Sequence, residues 1–206
     1  MRVVFIFVVL LVLLALALPA AFVVRVWLDG GATVTQAQQN GLLRGAPSGR
    51  LNVPEYMIAM SEFEETWRVR AQPCRTISYL WADLTSEGGP ARLPVSHKLA
   101  TSLMGEQRAM SVRWQVRQFM VTCQLERRYD DREMLRMWLE RAYFGREALG
   151  LEAASQSYFN KPSGALNSEE SARLAALVRA PGLRNNPERL AERARLIQNR
   201  VAEIAR

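Results

Sequence analysis

The chain has 206 residues, 49% of them hydrophobic and 23% charged, with a formal charge of +7; one domain of ordinary size with a sizeable core remains once a membrane segment is set aside. The positive side chains are almost all arginine, Lys98 and Lys161 being the only lysines; arginine suits bidentate recognition of phosphate, and a genome-wide codon bias accounts for the excess equally well. The excess is modest, spread along the chain and unaccompanied by a recognition motif, which disfavours a nucleic-acid reader and fits an anionic membrane surface or a phosphorylated lipid.

Val3 to Val24 are apolar or small apart from Pro19, a run of about 22 residues that is long enough as a helix to cross a bilayer. The run predicts a transmembrane anchor with Arg25 and Trp27 at the interface. A cleaved signal peptide is the competing reading, because Ala15, Ala17 and Ala21 are small, but the run is longer than a typical signal core. Arg2 and the amino terminus argue for a cytoplasmic start, whereas Arg25 sits on the other flank. The expected organisation is an anchor over 1–28, a Gly-, Gln-, Ala- and Ser-rich linker over 29–52, and a domain over 53–206.

Met57, Ile58, Met60 and Phe63 open the domain, Pro73 interrupts the pattern before Ile77, Leu80 and Trp81, and Thr85 to Pro94 read as a loop. From Ser111 onward the apolar spacing is helical, with Val112, Val116, Phe119, Met120 and Cys123 on one face. Further helices carry Met134, Leu135, Trp138 and Leu139, then Leu151 to Phe159. Another is capped by Asn167 with Glu170, and the last starts near Pro187. Gly145 and Gly150 punctuate a turn. The domain is expected to be mostly α-helical. Cys74 and Cys123 are compatible with one disulfide in an exported domain and equally with two buried thiols. With His97 the only histidine and no Cys-x-x-Cys spacing, a four-ligand zinc site is disfavoured.

The segments "WLERAYFGREALGLEAASQSYFNK", "LNSEESARLAAL" and "RAPGLRNNP" occur in an order that resembles the carboxy-terminal half of family 51 peptidoglycan glycosyltransferases. Gly145, Gly150, Tyr158, Phe159 and Lys161 stand at the family's turn and helix-closing positions. The resemblance implies a lysozyme-like α-helical domain behind one amino-terminal transmembrane helix. It further implies polymerisation of lipid II, a place on the outer side of the cytoplasmic membrane, and lipid II, glycan strands and cell-wall synthesis proteins as partners.

That reaction displaces a lipid pyrophosphate and needs a carboxylate base for the acceptor hydroxyl, with cationic or metal-linked groups offsetting the charge on the leaving group. Carried over from the family, Glu62 takes the position of the catalytic glutamate of Glu-Asp-x-x-Phe-x-x-His, with Phe63, Thr66 and Val69 replacing the other three. The competing reading of Glu62 is a member of a solvated acidic cluster with Glu64 and Glu65. In "RLPVSHKLATSLM", His97 and Lys98 stand for the family's paired glutamines and Thr101 and Ser102 for Lys-Asn. Lys98 is a candidate phosphate contact or an ordinary exposed lysine, and His97 reads as an ordinary polar side chain. Trp114, Gln115 and Gln118 occupy the Arg, Lys and Glu positions of Arg-Lys-x-x-Glu, so the second glutamate is replaced by a side chain that cannot ionise. Gln115 and Arg117 are the remaining candidates for phosphate or substrate contact. Arg136 and Glu140 replace a family glutamate and asparagine.

The resemblance therefore implies the fold more firmly than the activity. The expected function is a non-catalytic binding or scaffold module of cell-wall assembly, without a cofactor. The alternatives are an active polymerase using Glu62 as base, with a divalent metal in that case, and a glycan-cleaving derivative using Glu62 as acid.

Overall fold

In a computed structural model of the chain, residues 2–43, 49–63, 74, 93–105 and 111–204 are described, with side chains from residue 17 onward. They form helices α1 (Arg2–Gln39), α2 (Val53–Glu62), α3 (Val95–Met104), α4 (Val112–Glu126), α5 (Asp131–Leu139), α6 (Leu151–Phe159), α7 (Ser168–Arg179) and α8 (Pro187–Ile204). Two 3-10 turns, Ser163–Ala165 and Pro181–Asn185, lie between the later helices. Among the described residues the only β pairing is an isolated bridge between Tyr143 and Leu149, so the domain is mostly α-helical.

Local chemistry explains where the helices begin. Asn52 with Glu55, Asp130 with Glu133 and Asn167 with Glu170 each form a reciprocal capping box, and Ser111 caps α4 through the Trp114 amide. Each box satisfies otherwise orphaned backbone donors at the first turn. Only the last of these boxes, Asn167 with Glu170, is among the sequence expectations; those ahead of α2 and α5 carry the same pattern.

The amino-terminal helix runs further than its composition suggested. The segment 29–52 reads as a linker, yet α1 continues through its first half to Gln39. The reason is packing: Val26, Gly30, Val34 and Ala37 share a face, α1 docks against α4, and a Cβ on Gly30 would lie 3.1 Å from that of Met120. The missing side chain permits close approach, while the tertiary contact overrides the weak helix propensity of glycine. At the apolar end of the described side chains, Leu18, Val23 and Val24 are exposed, as expected for a surface meant for lipid. The stretch Ala17–Gln39 is long and apolar enough to cross a membrane.

The core gathers where α2 packs on α7, α7 on α8, and α3 on both α4 and α5. Ile58, Leu99, Leu125, Met134, Leu135, Phe144, Leu174 and Leu177 are fully buried there. The turn after α5 depends on glycine: Gly150 has φ 93°, and a Cβ there would come within 3.0 Å of the Glu140 carbonyl oxygen. Cys74 and Cys123 are joined in a disulfide across 49 residues of sequence.

Candidate active site

Glu62 is the last residue of α2, the helix that packs chiefly against α7 and also touches α8. Its side chain is only 3% exposed, which removes the reading of a solvated surface carboxylate; Glu64 and Glu65 lie outside the described residues. A buried carboxylate needs compensating charge. Lys98, in the first turn of α3, supplies it by donating from Nζ to Glu62 Oε2 at 2.6 Å.

The lysine is itself seated on aromatic faces. Its Nζ lies 5.2 Å from the Phe63 ring centroid and 5.1 Å from that of Trp138, and the two rings meet edge to face at 5.4 Å. Aromatic quadrupoles hold an ammonium in this way. Lys98 is thus part of a paired site and not a free exposed lysine. Phe63 and Lys98 fit one another: the first offers a ring, and the second places a cation over it. The other carboxylate oxygen, Oε1, is buried without a hydrogen-bond partner among the described residues, and Arg179 Nη1 at the end of α7 is 4.0 Å from it.

Gln118, on α4, is also buried. Its amide nitrogen donates to Thr101 Oγ1 at 2.5 Å and meets His97 Nε2 at 3.0 Å. Both amide N–H groups are then used, and His97 accepts at Nε2 only with its proton on Nδ1. Nδ1 is buried and unpartnered among the described residues. His97 and Lys98 are consecutive on α3, about 100° apart around the helix, so one helix sends a side chain to Gln118 and the next to Glu62. That arrangement places Glu62 and Gln118 against adjacent faces of α3, the first held by Lys98 and the second by His97.

Burial lowers the His97 pKa below its ordinary value. The neutral ring is therefore favoured in the fold, and this contribution to stability is present above the unfolded pKa and lost as pH falls through the folded one. Wild type should lose more stability than His97→Gln between pH 7 and pH 5, measured by urea unfolding at each pH; parallel losses would show that the ring does not titrate with unfolding.

The other sequence candidates take different places. Arg117 donates to Thr33 Oγ1 on α1 at 3.0 Å, and Gln115 is exposed on α4. The Tyr158 hydroxyl donates to the Phe144 carbonyl at 2.9 Å, and its ring lies 4.6 Å under the Arg146 guanidinium. Lys161 pairs with Glu170 at 2.5 Å. Phe159 packs at the edge of the core, with its ring 6.3 Å from that of Tyr158.

Two features had no usable sequence signal. Arg179 reaches Glu62 only because α7 lies across α2. Arg136 holds Glu55 through Nε and Nη2 at 3.0 and 3.2 Å and the carbonyls of Gly49 and Arg50, tying α5 to the start of α2. No group of three or more His, Cys, Asp and Glu side chains that could hold a metal occurs among the described residues.

A family model described as Transglycosylase matches residues 94–203. The match includes Lys98, Gln118 and the turn at Gly145 and Gly150; Glu62 lies upstream of it. Penicillin-binding protein 1C of Escherichia coli is 32% identical over 157 residues, covering 73% of this chain and 20% of that protein. Penicillin-binding protein 1A of Aquifex aeolicus is 32% identical over 112 residues, 53% of this chain and 15% of that protein. The biosynthetic peptidoglycan transglycosylase of Shewanella frigidimarina is 42% identical over 66 residues, 32% of this chain and 29% of that protein. The chain therefore spans less than a third of the length of each of these relatives.

Proposed function

Because the chain belongs to the family 51 peptidoglycan transglycosylases, we propose that it is a glycosyltransferase-like protein of bacterial cell-wall assembly whose reaction centre no longer turns over. In this reading it is anchored by residues 1–28 and acts through the domain at 53–206 as a binding or scaffold module. Its partners are lipid II or glycan strands together with cell-wall synthesis proteins. The disulfide between Cys74 and Cys123 supports a domain on the oxidising, outer side of the cytoplasmic membrane.

The observation that carries the proposal is the ion pair at Glu62. A general base must present a free lone pair to the hydroxyl it deprotonates, and Lys98 occupies Oε2 at 2.6 Å inside a buried site. In this reading Gln118 stands where the family has its second carboxylate; it cannot ionise, and its amide nitrogen donates to Thr101 and lies 3.0 Å from His97 Nε2. Gln118 cannot take a proton, and Glu62 is held at one of its two oxygens by Lys98.

One observation favours a second reading, an active polymerase. Glu62 Oε1 has no hydrogen-bond partner among the described residues, which leaves one oxygen to take a proton. A lipid II polymerisation assay on the purified full chain, run beside an active relative, separates the two. No glycan strands are expected. Polymer at even a hundredth of the relative's rate that disappears in Glu62→Gln would establish the active reading, and sugar fragments released from sacculi would establish cleavage.

A further inference from the structure

The Gln118 side chain is held by its nitrogen alone. That nitrogen donates to Thr101 Oγ1 at 2.5 Å and meets His97 Nε2 at 3.0 Å, while the side-chain carbonyl oxygen makes no hydrogen bond among the described residues. The hold depends on where two other protons sit. Thr101 gives its hydroxyl proton to the His97 carbonyl at 2.9 Å, which leaves Oγ1 as an acceptor. The neutral ring carries its proton on Nδ1, which leaves Nε2 as the second acceptor.

A proton taken up from solvent at Nε2 reverses this contact. Two N–H donors would then face each other at 3.0 Å, and a positive ring without an acceptor is costly in a partly buried place. Half a turn of the Gln118 amide exchanges its nitrogen and oxygen and removes the conflict. Nε2–H then donates to the Gln118 carbonyl oxygen. Thr101 can donate to the same oxygen once its hydroxyl swings away from the His97 carbonyl, which keeps its helical partner within α3. Nδ1 holds its proton throughout. No outside charge competes for the ring: α3 packs on α4, α5 and α1, and the charged groups around it are engaged elsewhere. Lys98 pairs with Glu62, Glu126 of α4 accepts from Ser96, Arg117 of α4 donates to Thr33 of α1, and Arg136 of α5 holds Glu55. No charged side chain, Asp29 of α1 included, bonds the His97 ring among the described residues, and burial is what lowers its pKa.

We propose that His97 is a proton switch for Gln118: uptake of a proton at Nε2 turns the amide over and reverses the hydrogen bonds that join α3 to α4 at Thr101 and His97. The switch changes what the Gln118 position offers to a neighbour. With the ring neutral the unbonded end of the side chain is a carbonyl acceptor, and with the ring charged it is an N–H donor. The device involves neither Glu62 nor Lys98 and holds whether or not Glu62 turns over.

The test is an NMR titration of the full chain in phosphocholine-detergent micelles, with nitrogen-15 in the histidine ring and the glutamine side chains, from about pH 7.5 to about pH 4.5, across the histidine range. His97 is the only histidine, so its ring signals are unambiguous, and the Gln118 amide is identified by its Overhauser contact with that ring. The ring and the Gln118 amide pair are expected to shift with one midpoint, below the ordinary histidine value. The direction of change in Gln118→Met separates a turning amide from a fixed one. A fixed amide that donates to Nε2 favours the neutral ring, so its loss would raise the midpoint. A turning amide favours the charged ring, because the hydrogen bond to a charged group is the stronger, and its loss should lower the midpoint by about half a pH unit or more. A ring that titrates while the Gln118 amide signals stay still overturns the proposal. So does a ring that stays neutral over the whole range, or a midpoint that rises or is unmoved in Gln118→Met. Should that variant lose its helical signal, the wild-type titration decides alone.

Discussion

Replacing Lys98 with methionine is expected to lower the unfolding free energy by about 2–4 kcal/mol, and adding Glu62→Gln to recover most of that loss. Methionine keeps the length and apolar stem of lysine, so the rings of Phe63 and Trp138 retain a neighbour. What disappears is the ammonium 2.6 Å from a carboxylate that is 3% exposed. Stranding a buried charge costs about 3–5 kcal/mol where both partners are fully buried. The lower range applies here because the Lys98 side chain is 33% exposed and water already screens it. Arg179, at 4.0 Å, is too distant to replace a direct hydrogen bond. Urea unfolding of wild type, both single variants and the double variant gives the coupling energy. A Lys98→Met loss below about 0.5 kcal/mol, the size of an ordinary surface effect, would show that the pair does not hold the site closed.

Phe144→Ala is expected to cost about 3–5 kcal/mol, with Phe144→Leu well under half of that. Phe144 is fully buried, although it sits in the turn after α5 and not on a helix. Its backbone is fixed on both sides. Its amide donates to the Ala148 carbonyl at 3.1 Å, and its own carbonyl accepts from the Tyr158 hydroxyl at 2.9 Å. A turn pinned in this way cannot collapse into the space that alanine leaves, so the cavity term adds to the lost burial. Tyr158→Phe removes the hydrogen bond alone and should cost about 1 kcal/mol. Thermal unfolding of the three variants checks the order, and an alanine cost no larger than that of Tyr158→Phe would mean that the turn is not anchored in the core.

The helices were legible because their signals are short-range. Apolar spacing of three and four, an Asn with Glu three residues on, and a proline in a first turn all act within one or two helical turns. The turn at Gly145 and Gly150 was legible for the same reason, since both glycines adopt positive φ. These residues build a scaffold; they touch neither Glu62 nor Gln118 in any contact described above.

By itself the sequence determined the mostly helical class, the order of the helices and the apolar amino-terminal run. The tertiary structure decided what the polar residues do. Whether Glu62 was a surface carboxylate or a buried one depended on where α3 and α7 bring Lys98 and Arg179 against it. Lys98 became its partner, and His97 that of Gln118, only when α3 was wedged between them. Even the length of α1 was settled this way, by Gly30 meeting Met120. The reason is that helix propensity and capping are properties of neighbouring residues, whereas the energy of a charge depends on its distance to other charges and on the water removed around it. Both quantities are fixed only by segments that are far apart in the chain.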